Sequence, residues 1–154
     1  MYKAIDIANW FIFKNRMIME EYGSEKITLL KVLKLLYYAE GCYLAMYDKS
    51  LFNDEIVAWE HGPVVVEVYD HFPDAYNLEL TDEDEDKVRN MPKDIRDFLG
   101  EVYNVFGQYT AWALRNKTHN EEPWIEATNG GTVLKRPISR ETMKRYFKNN
   151  YVEE

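Results

Sequence analysis

The chain has 154 residues, a length that suits one domain with a sizeable buried core. Its formal net charge of −8 argues against a nucleic-acid binder, because neutralising phosphates requires a basic face. A single cysteine, Cys42, excludes an internal disulfide framework, and no run of about 18 uncharged apolar residues could span a membrane. The N-terminus has no basic leader followed by an apolar run, so it does not read as a signal peptide, and a cytoplasmic protein is expected.

Two helices are predicted in the N-terminal third of the chain. The first covers residues 4–19, where apolar residues recur at helical spacing, and Gly23 is placed to end it. The second, Leu29–Tyr47, is apolar or aromatic at 15 of its 19 positions, and a helix apolar on all sides is normally a buried one. We expect it to be the hub helix of the core, with Lys31 and Lys34 reaching solvent or a partner.

The middle of the chain changes character. Apolar and polar residues alternate in residues 51–61, which is typical of a short strand or an extended loop. Pro63 then suits the first position of a helix that continues through Phe72, since proline's missing N–H would be unpaired there anyway. The β-branched residues 64–66 argue against a helix there, because branching at Cβ lowers helix propensity.

The C-terminal half is predicted to be largely helical. The acidic run within residues 74–86 suits either a solvated loop or the first turn of a helix. Asn120 is expected to cap a helix that has Pro123 in its first turn. An amphipathic stripe that ends at Gly107 marks another helix: Ile95, Phe98, Leu99, Val102 and Phe106. Caps at Thr110 and Ser139 predict two more.

The predicted fold class is therefore mainly α. The chain is expected to form a single compact helical domain, residues 1–154, around the buried hub helix, with a small β element near residues 51–61. Six basic residues crowd the C-terminal end, and a solvated face or a complement to acidic neighbours is favoured over a binding patch. They are Lys135, Arg136, Arg140, Lys144, Arg145 and Lys148.

No spacing in the sequence is typical of a catalytic or metal site. Cys42, His61, His71 and His119 form neither a CxxC pair nor an HExxH motif. Cys42 lies in the most apolar helix, where a thiol is expected to be a buried, unreactive hydrophobe. We therefore expect no metal, no cofactor and no enzymatic activity.

Three segments follow one another in an order that is typical of one family. The first holds Lys31, Lys34, Leu35, Leu36, Tyr37 and Tyr38. The second holds Ala58, Trp59, Gly62, Pro63 and Val64. The third holds Thr118, His119, Glu121, Pro123, Trp124 and Ala127. Together they resemble the Panacea antitoxin-domain family, which includes SocA-type antitoxins and GepA-like phage-associated proteins.

The resemblance implies a helical antitoxin of bacterial or prophage origin that neutralises a cognate toxin by direct binding. In SocA-type members the antitoxin is an adaptor that delivers its toxin to a cytosolic protease, so a protease is a second candidate partner. The motifs do not distinguish blocking from delivery. DNA binding is not expected, because 154 residues leave no room for the extra module that many members carry.

Two other functions stay open from the residues alone. One is a phage-associated interaction protein whose partner is not a toxin, and the other is a small hydrolase that uses His61 or His119 with a carboxylate or a metal. Residues 74–86 suit docking to a basic toxin. Ten motif and nearby positions are the predicted partner-binding residues: Lys31, Lys34, Tyr37, Tyr38, Trp59, His61, Tyr69, His119, Glu121 and Trp124.

Overall fold

A computed structural model describes residues 1–152, and in that range the chain is mainly helical, as predicted. Its helices are α1 (Ala4–Tyr22), α2 (Leu29–Tyr47), α3 (Val66–His71), α4 (Asp82–Arg89), α5 (Lys93–Phe106), α6 (Ala111–His119), α7 (Glu122–Ala127) and α8 (Arg140–Asn150). Its strands are β1 (Val57–Trp59), β2 (Gly62–Val64) and β3 (Arg136–Pro137).

Helix α2 is the buried hub that its composition predicts. It packs against α1, α5, α6 and α8, and the side chains of Tyr37 and Tyr38 are completely buried. The Thr28 hydroxyl caps the helix by accepting a hydrogen bond from the Lys31 main-chain N–H at 3.3 Å. Among the described residues, no helix is long and apolar enough to cross a membrane.

A buried ion pair joins α2 to α8. Glu40 is fully buried, and its carboxylate accepts a hydrogen bond from Arg140 Nε at 2.9 Å and from the Leu51 main-chain N–H at 2.7 Å. Lys144 and Arg145 pair with Asp48 and Glu122 near the surface. Three of the six C-terminal basic residues therefore complement acidic neighbours, as favoured from the sequence.

A three-stranded antiparallel sheet in the order β2-β1-β3 forms the small β element. Strands β1 and β2 are a tight hairpin in which Ala58 pairs with Pro63 and Trp59 with Gly62. The prediction that Pro63 begins a helix is wrong, because it lies in β2 and the helix begins at Val66. β2 is an edge strand, where the missing N–H of proline interrupts no ladder bond.

The remaining caps follow the sequence closely, with one exception. Thr110 and Ser139 accept hydrogen bonds from main-chain N–H groups in the first turns of α6 and α8. The acidic run becomes the first turn of α4, closed by a reciprocal capping box between Thr81 and Asp84. Asn120 ends α6, and Glu121 stands at the N-cap position of α7, one residue later than predicted.

Candidate functional site

The three motif segments meet on one side of α2. The first lies on α2 itself, the second forms the β1–β2 hairpin, and the third spans the junction of α6 and α7. Two hydrogen bonds hold the third segment to the hairpin. The Trp124 indole N–H donates to the Trp59 carbonyl at 3.0 Å, and His119 Nε2 lies 2.6 Å from the Glu60 carbonyl oxygen.

Glu121 is the centre of a buried cluster of tyrosine hydroxyls. Its side chain is 2% exposed, and one carboxylate oxygen accepts hydrogen bonds from Tyr37 at 3.1 Å and Tyr38 at 3.2 Å. The Tyr151 hydroxyl donates to the other oxygen. Burial raises the pKa of Glu121 and the three hydrogen bonds oppose that rise, while burial and Glu121 raise the pKa of Tyr38. The tyrosines therefore stay protonated as donors, and the cluster ties the start of α7 to α2 and the C-terminal segment.

His119 is held between two main-chain carbonyls. Its Nδ1 lies 2.6 Å from the Arg115 carbonyl oxygen, opposite the contact of Nε2 with Glu60. Its ring packs against the Trp124 ring with centroids 4.0 Å apart. Both ring nitrogens are thus engaged with the backbone, so the ring fixes α6 against the hairpin.

Lys34 is the main departure from expectation. The prediction that it reaches solvent is wrong: its side chain is 0% exposed, and its ammonium donates to the Pro63 carbonyl at 2.9 Å. Burial first, and then the nearby Arg115 guanidinium, lower the pKa of Lys34 to about 7. Gly62 makes room for it, because a Cβ at position 62 would lie 2.7 Å from Lys34 Cε and 2.8 Å from the Thr118 hydroxyl oxygen.

An open pocket lies above this buried lysine, between α2 and the hairpin. We name it the hairpin pocket; its volume is about 380 Å³. Lys34, Trp59, His61 and Tyr69 all contribute to its lining, together with Glu60 and Lys135. The rest of the lining is aliphatic: Leu29, Leu30, Leu33, Val64, Ala75 and Leu134. Four of the ten predicted partner-binding residues are therefore brought together at one concave surface.

The ten predicted residues differ widely in exposure. Lys34, Tyr37, Tyr38, Glu121 and Trp124 are buried and cannot touch a partner that docks on this conformation. Two others are exposed, His61 and Tyr69, and three are partly exposed, Lys31, Trp59 and His119. Lys31 lies apart from the hairpin pocket and donates to the Gly107 carbonyl at 2.6 Å. A role in partner binding stays a prediction for these five.

Two surface residues beside the hairpin pocket were missed by sequence reasoning. Trp112 is 55% exposed, and the guanidinium of Arg115 lies 4.4 Å from its ring centroid. Arg115 Nε also donates to His61 Nδ1 at 3.2 Å. Their spacing in the sequence could have revealed them. Trp112 and Arg115 are three residues apart, and residues with that spacing share a face of a helix.

Among the described residues, no group of three or more histidine, cysteine, aspartate or glutamate side chains could hold a metal ion. Cys42 is buried, and burial, with a smaller contribution from Glu121, raises the pKa of its thiol to about 12. A thiol with so high a pKa is a poor nucleophile at neutral pH. The buried position of Cys42 and its raised thiol pKa fit the prediction that it is a buried, unreactive hydrophobe.

Fold and site together define a mainly helical protein in which a helix–hairpin–helix assembly supports an open apolar pocket. The chain belongs to the SocA-like antitoxin family with the Panacea domain, whose family model matches residues 32–125. The resemblance inferred from the three segments is thereby confirmed. No curated protein and no solved structure gives a significant match.

Proposed function

We propose that this protein is an antitoxin that neutralises a cognate toxin by binding it directly. The observation that carries the proposal is the match to the SocA-like Panacea domain over residues 32–125. That range contains α2 from Val32 onward, the hairpin and the exposed side chains of α6, so it includes most of the hairpin pocket.

The surface around the hairpin pocket has the composition of a protein-binding site. Tyr69 is 45% exposed, Trp59 packs against it with ring centroids 4.9 Å apart, and Trp112 lies beside His61. Aromatic residues and arginine are enriched at the centres of protein interfaces. The buried hydrogen bonds beneath this surface hold it in place, which reduces the entropy lost on binding.

A hydrolase is the weaker candidate because both histidines it would use have other contacts. The two ring nitrogens of His119 face main-chain carbonyls, and His61 Nδ1 accepts a hydrogen bond from a cation. A general base needs an accessible nitrogen and usually a carboxylate or carbonyl that orients it. We propose that the protein is not an enzyme and that both histidines organise the binding surface.

The direct test is co-expression of the tagged chain with each adjacent open reading frame, scoring growth and co-purification together. Growth rescue with a stable complex supports the antitoxin. A stable complex with a product that is not toxic supports the phage-associated interaction protein instead. If no adjacent product is bound and growth is not rescued with any of them, both the antitoxin and the phage-associated interaction protein are contradicted.

Blocking and proteolytic delivery predict different toxin levels. If the antitoxin delivers its toxin to a protease, co-expression shortens the toxin's half-life, and inactivating the cytosolic proteases restores it. If it only blocks, the half-life is unchanged or longer. Two variants locate the interface: Tyr69→Ala should weaken binding, and Tyr22→Ala, an exposed tyrosine at the end of α1, should not.

A further inference from the structure

A second open groove lies between α5 and the C-terminal end of α2, and we name it the α5 groove. Its volume is about 470 Å³. Its floor holds three buried apolar side chains, those of Phe98, Val102 and Phe106. Its rim holds three large apolar side chains that are 47–49% exposed, those of Met46, Tyr47 and Val105. Scattered apolar residues are ordinary on a protein surface, but a group gathered around one groove is typical of a binding site.

The charged residues in the described lining of the α5 groove are all acidic. They are Asp94, Asp97 and Glu101, and all three are exposed. Their spacing of three and four residues places them on one face of α5. Asp97 pairs with Lys93 at the surface, but among residues 1–152 neither Asp94 nor Glu101 has a cationic nitrogen within 4.0 Å. An apolar floor beside accessible, unpaired carboxylates is complementary to a surface that is both apolar and basic.

The walls of the α5 groove determine which kind of segment fits. They belong to α2, α5 and residues 151–152, so they present side chains and not the open edge of a sheet. A strand would find no row of main-chain partners there, whereas a helix satisfies its own main-chain hydrogen bonds and can lay an apolar face in the groove. Asp94 and Glu101 are seven residues apart, about 10 Å along α5. Lysine or arginine residues at helical spacing on a partner helix cover the same length.

The α5 groove is separate from the hairpin pocket. The two share no lining residue. Leu33 lines the pocket and Met46 lines the groove, and their separation along α2 is about 20 Å. A second copy of this chain suits the groove less well than a basic partner, because two molecules with a net charge of −8 repel each other.

We propose that the α5 groove receives a basic amphipathic helix of the partner protein. The apolar face of that helix packs on Met46, Tyr47 and Val105, and its lysine or arginine side chains pair with Asp94 and Glu101. The inference rests on the proposed function, since it names what the toxin places on a second surface of the antitoxin.

A designed peptide tests the α5 groove without the toxin. In helical form the peptide AKLAKKLAKLAKKLAK carries leucines on one face and lysines beside them, and its counterpart has glutamate in place of every lysine. Binding is followed by NMR through the methyl signals of Met46 and of Met17, which is 50% exposed on α1 outside the groove. The lysine peptide should shift the Met46 signal at concentrations about tenfold lower than the glutamate peptide and leave Met17 unshifted. Equal affinity for the two peptides, or no shift of Met46 with either, would overturn the proposal.

A charge-reversed variant connects the α5 groove to the toxin. Asp94→Lys combined with Glu101→Lys changes the net charge by two times +2, from −8 to −4. It should weaken binding of the lysine peptide and of the toxin by about tenfold or more. Glu20→Lys combined with Glu21→Lys, exposed at the end of α1, makes the same charge change and is the control. At physiological salt the control should weaken both by less than about threefold.

A second variant tests the apolar contact and leaves the charge as it is. Met46→Ser removes about half-exposed apolar surface from the rim and should weaken binding of the peptide and of the toxin by about fivefold. Met17→Ser, at an equally exposed methionine on α1, is its control and should leave both unchanged. Equal effects of the two substitutions would contradict a contact at the α5 groove.

The outcomes separate this inference from the proposed function. If the toxin binds the wild-type chain and both groove variants equally, the groove inference fails while the antitoxin function stands. If the isolated wild-type chain self-associates in sedimentation velocity and Met46→Ser abolishes that, the occupant is a second copy and the inference also fails. If no adjacent product binds the wild-type chain, the proposed function fails, and the assignment of a toxin helix falls with it.

Discussion

Glu121 shows how one side chain can organise the third motif. Replacing it with alanine leaves the buried hydroxyls of Tyr37 and Tyr38 and the partly buried hydroxyl of Tyr151 without their acceptor, and each unsatisfied buried group costs about 1–3 kcal/mol. Glu121→Ala should therefore lower the free energy of unfolding by about 2 kcal/mol or more. Glu121→Gln keeps an acceptor oxygen and should lose about 1 kcal/mol.

Urea denaturation of the purified variants measures these differences, and the adjacent residue supplies the control. Glu122 is exposed and pairs with Arg145 at the surface, so Glu122→Gln should change stability by less than about 1 kcal/mol. Equal losses at positions 121 and 122 would show that the tyrosine cluster contributes little to stability.

Lys34 gives the protein an unusual dependence of stability on pH. Its pKa is about 7 in the folded protein and near 10.5 when exposed, so above pH 7 the unfolded chain binds more protons and stability rises with pH. From about pH 7 to about pH 8.5, the free energy of unfolding should rise with a slope approaching about 1.4 kcal/mol per pH unit. Arg115 is the charged neighbour that contributes to the lowered pKa.

The Lys34→Met variant should abolish that slope, which urea denaturation at several pH values would reveal. The range ends below pH 9 because Cys42, whose folded pKa is raised from 9.0 to about 12, contributes a slope of opposite sign above it. Identical slopes in wild type and Lys34→Met would mean that Lys34 stays fully charged within the fold.

At the scale of elements, the contact of α2 with α8 depends on a glycine, whose lack of a side chain leaves room for a ring on the facing helix. Gly41 lies in the middle of α2, and a Cβ there would overlap the ring of Phe147 on α8. Alanine is favoured over glycine in a helix by about 1 kcal/mol, but overpacking costs about 1–3 kcal/mol. Gly41→Ala should therefore destabilise the protein by up to about 2 kcal/mol.

A second helical glycine provides the matched control for this prediction. No atom beyond its own helix lies within 4 Å of a Cβ built at Gly100 in α5, so Gly100→Ala should stabilise by about 0.5–1 kcal/mol. Thermal and urea unfolding of the two variants should thus shift in opposite directions. Phe147→Leu combined with Gly41→Ala should recover part of the loss; strictly additive effects would contradict the steric explanation.

Elements with local signals were predicted well from the sequence. The bounds of α2 match the prediction because Thr28 caps it and its apolar residues continue to Tyr47. The buried stripe of α5, from Ile95 to Phe106, follows from helical periodicity. Pro63 was misassigned because its place on an edge strand depends on pairing with Ala58, which no local pattern reveals.

The site was harder to predict than the fold because its chemistry depends on distant contacts. A lysine on a helix is expected outside, and Lys34 is buried because the hairpin folds over it and Pro63 supplies a carbonyl. The sequence singled out the motif residues without showing which of them are buried. Sequence alone could not separate Glu121, which holds the core together, from Tyr69, which faces solvent.

At the scale of the whole molecule, the net charge and the hairpin pocket favour different features of a partner. A chain with a net charge of −8 attracts a basic protein over distances of about a Debye length, about 8 Å at physiological ionic strength. The hairpin pocket acts only at contact, where its largely aliphatic lining favours an apolar group. A basic toxin that carries one exposed apolar side chain would satisfy both requirements.

The acidic segment 74–86 is where long-range attraction can be tested. Reversing Glu79, Glu83 and Asp86, which are exposed, to lysine changes the net charge by three times +2, from −8 to −2. If this segment steers a basic toxin, the association rate at low salt should fall by about tenfold, with little change in dissociation rate. The difference should disappear near 1 M salt, where the Debye length is about 3 Å.

A control with the same charge change separates the segment from the overall field. Reversing Glu20, Glu21 and Glu55, also exposed but outside the segment, gives the same net charge. Stopped-flow or surface plasmon resonance measurements should then show slower association for the first variant than for the second. Equal slowing would assign the steering to the net charge alone. Unchanged rates in both would mean that the toxin surface facing this protein is not basic.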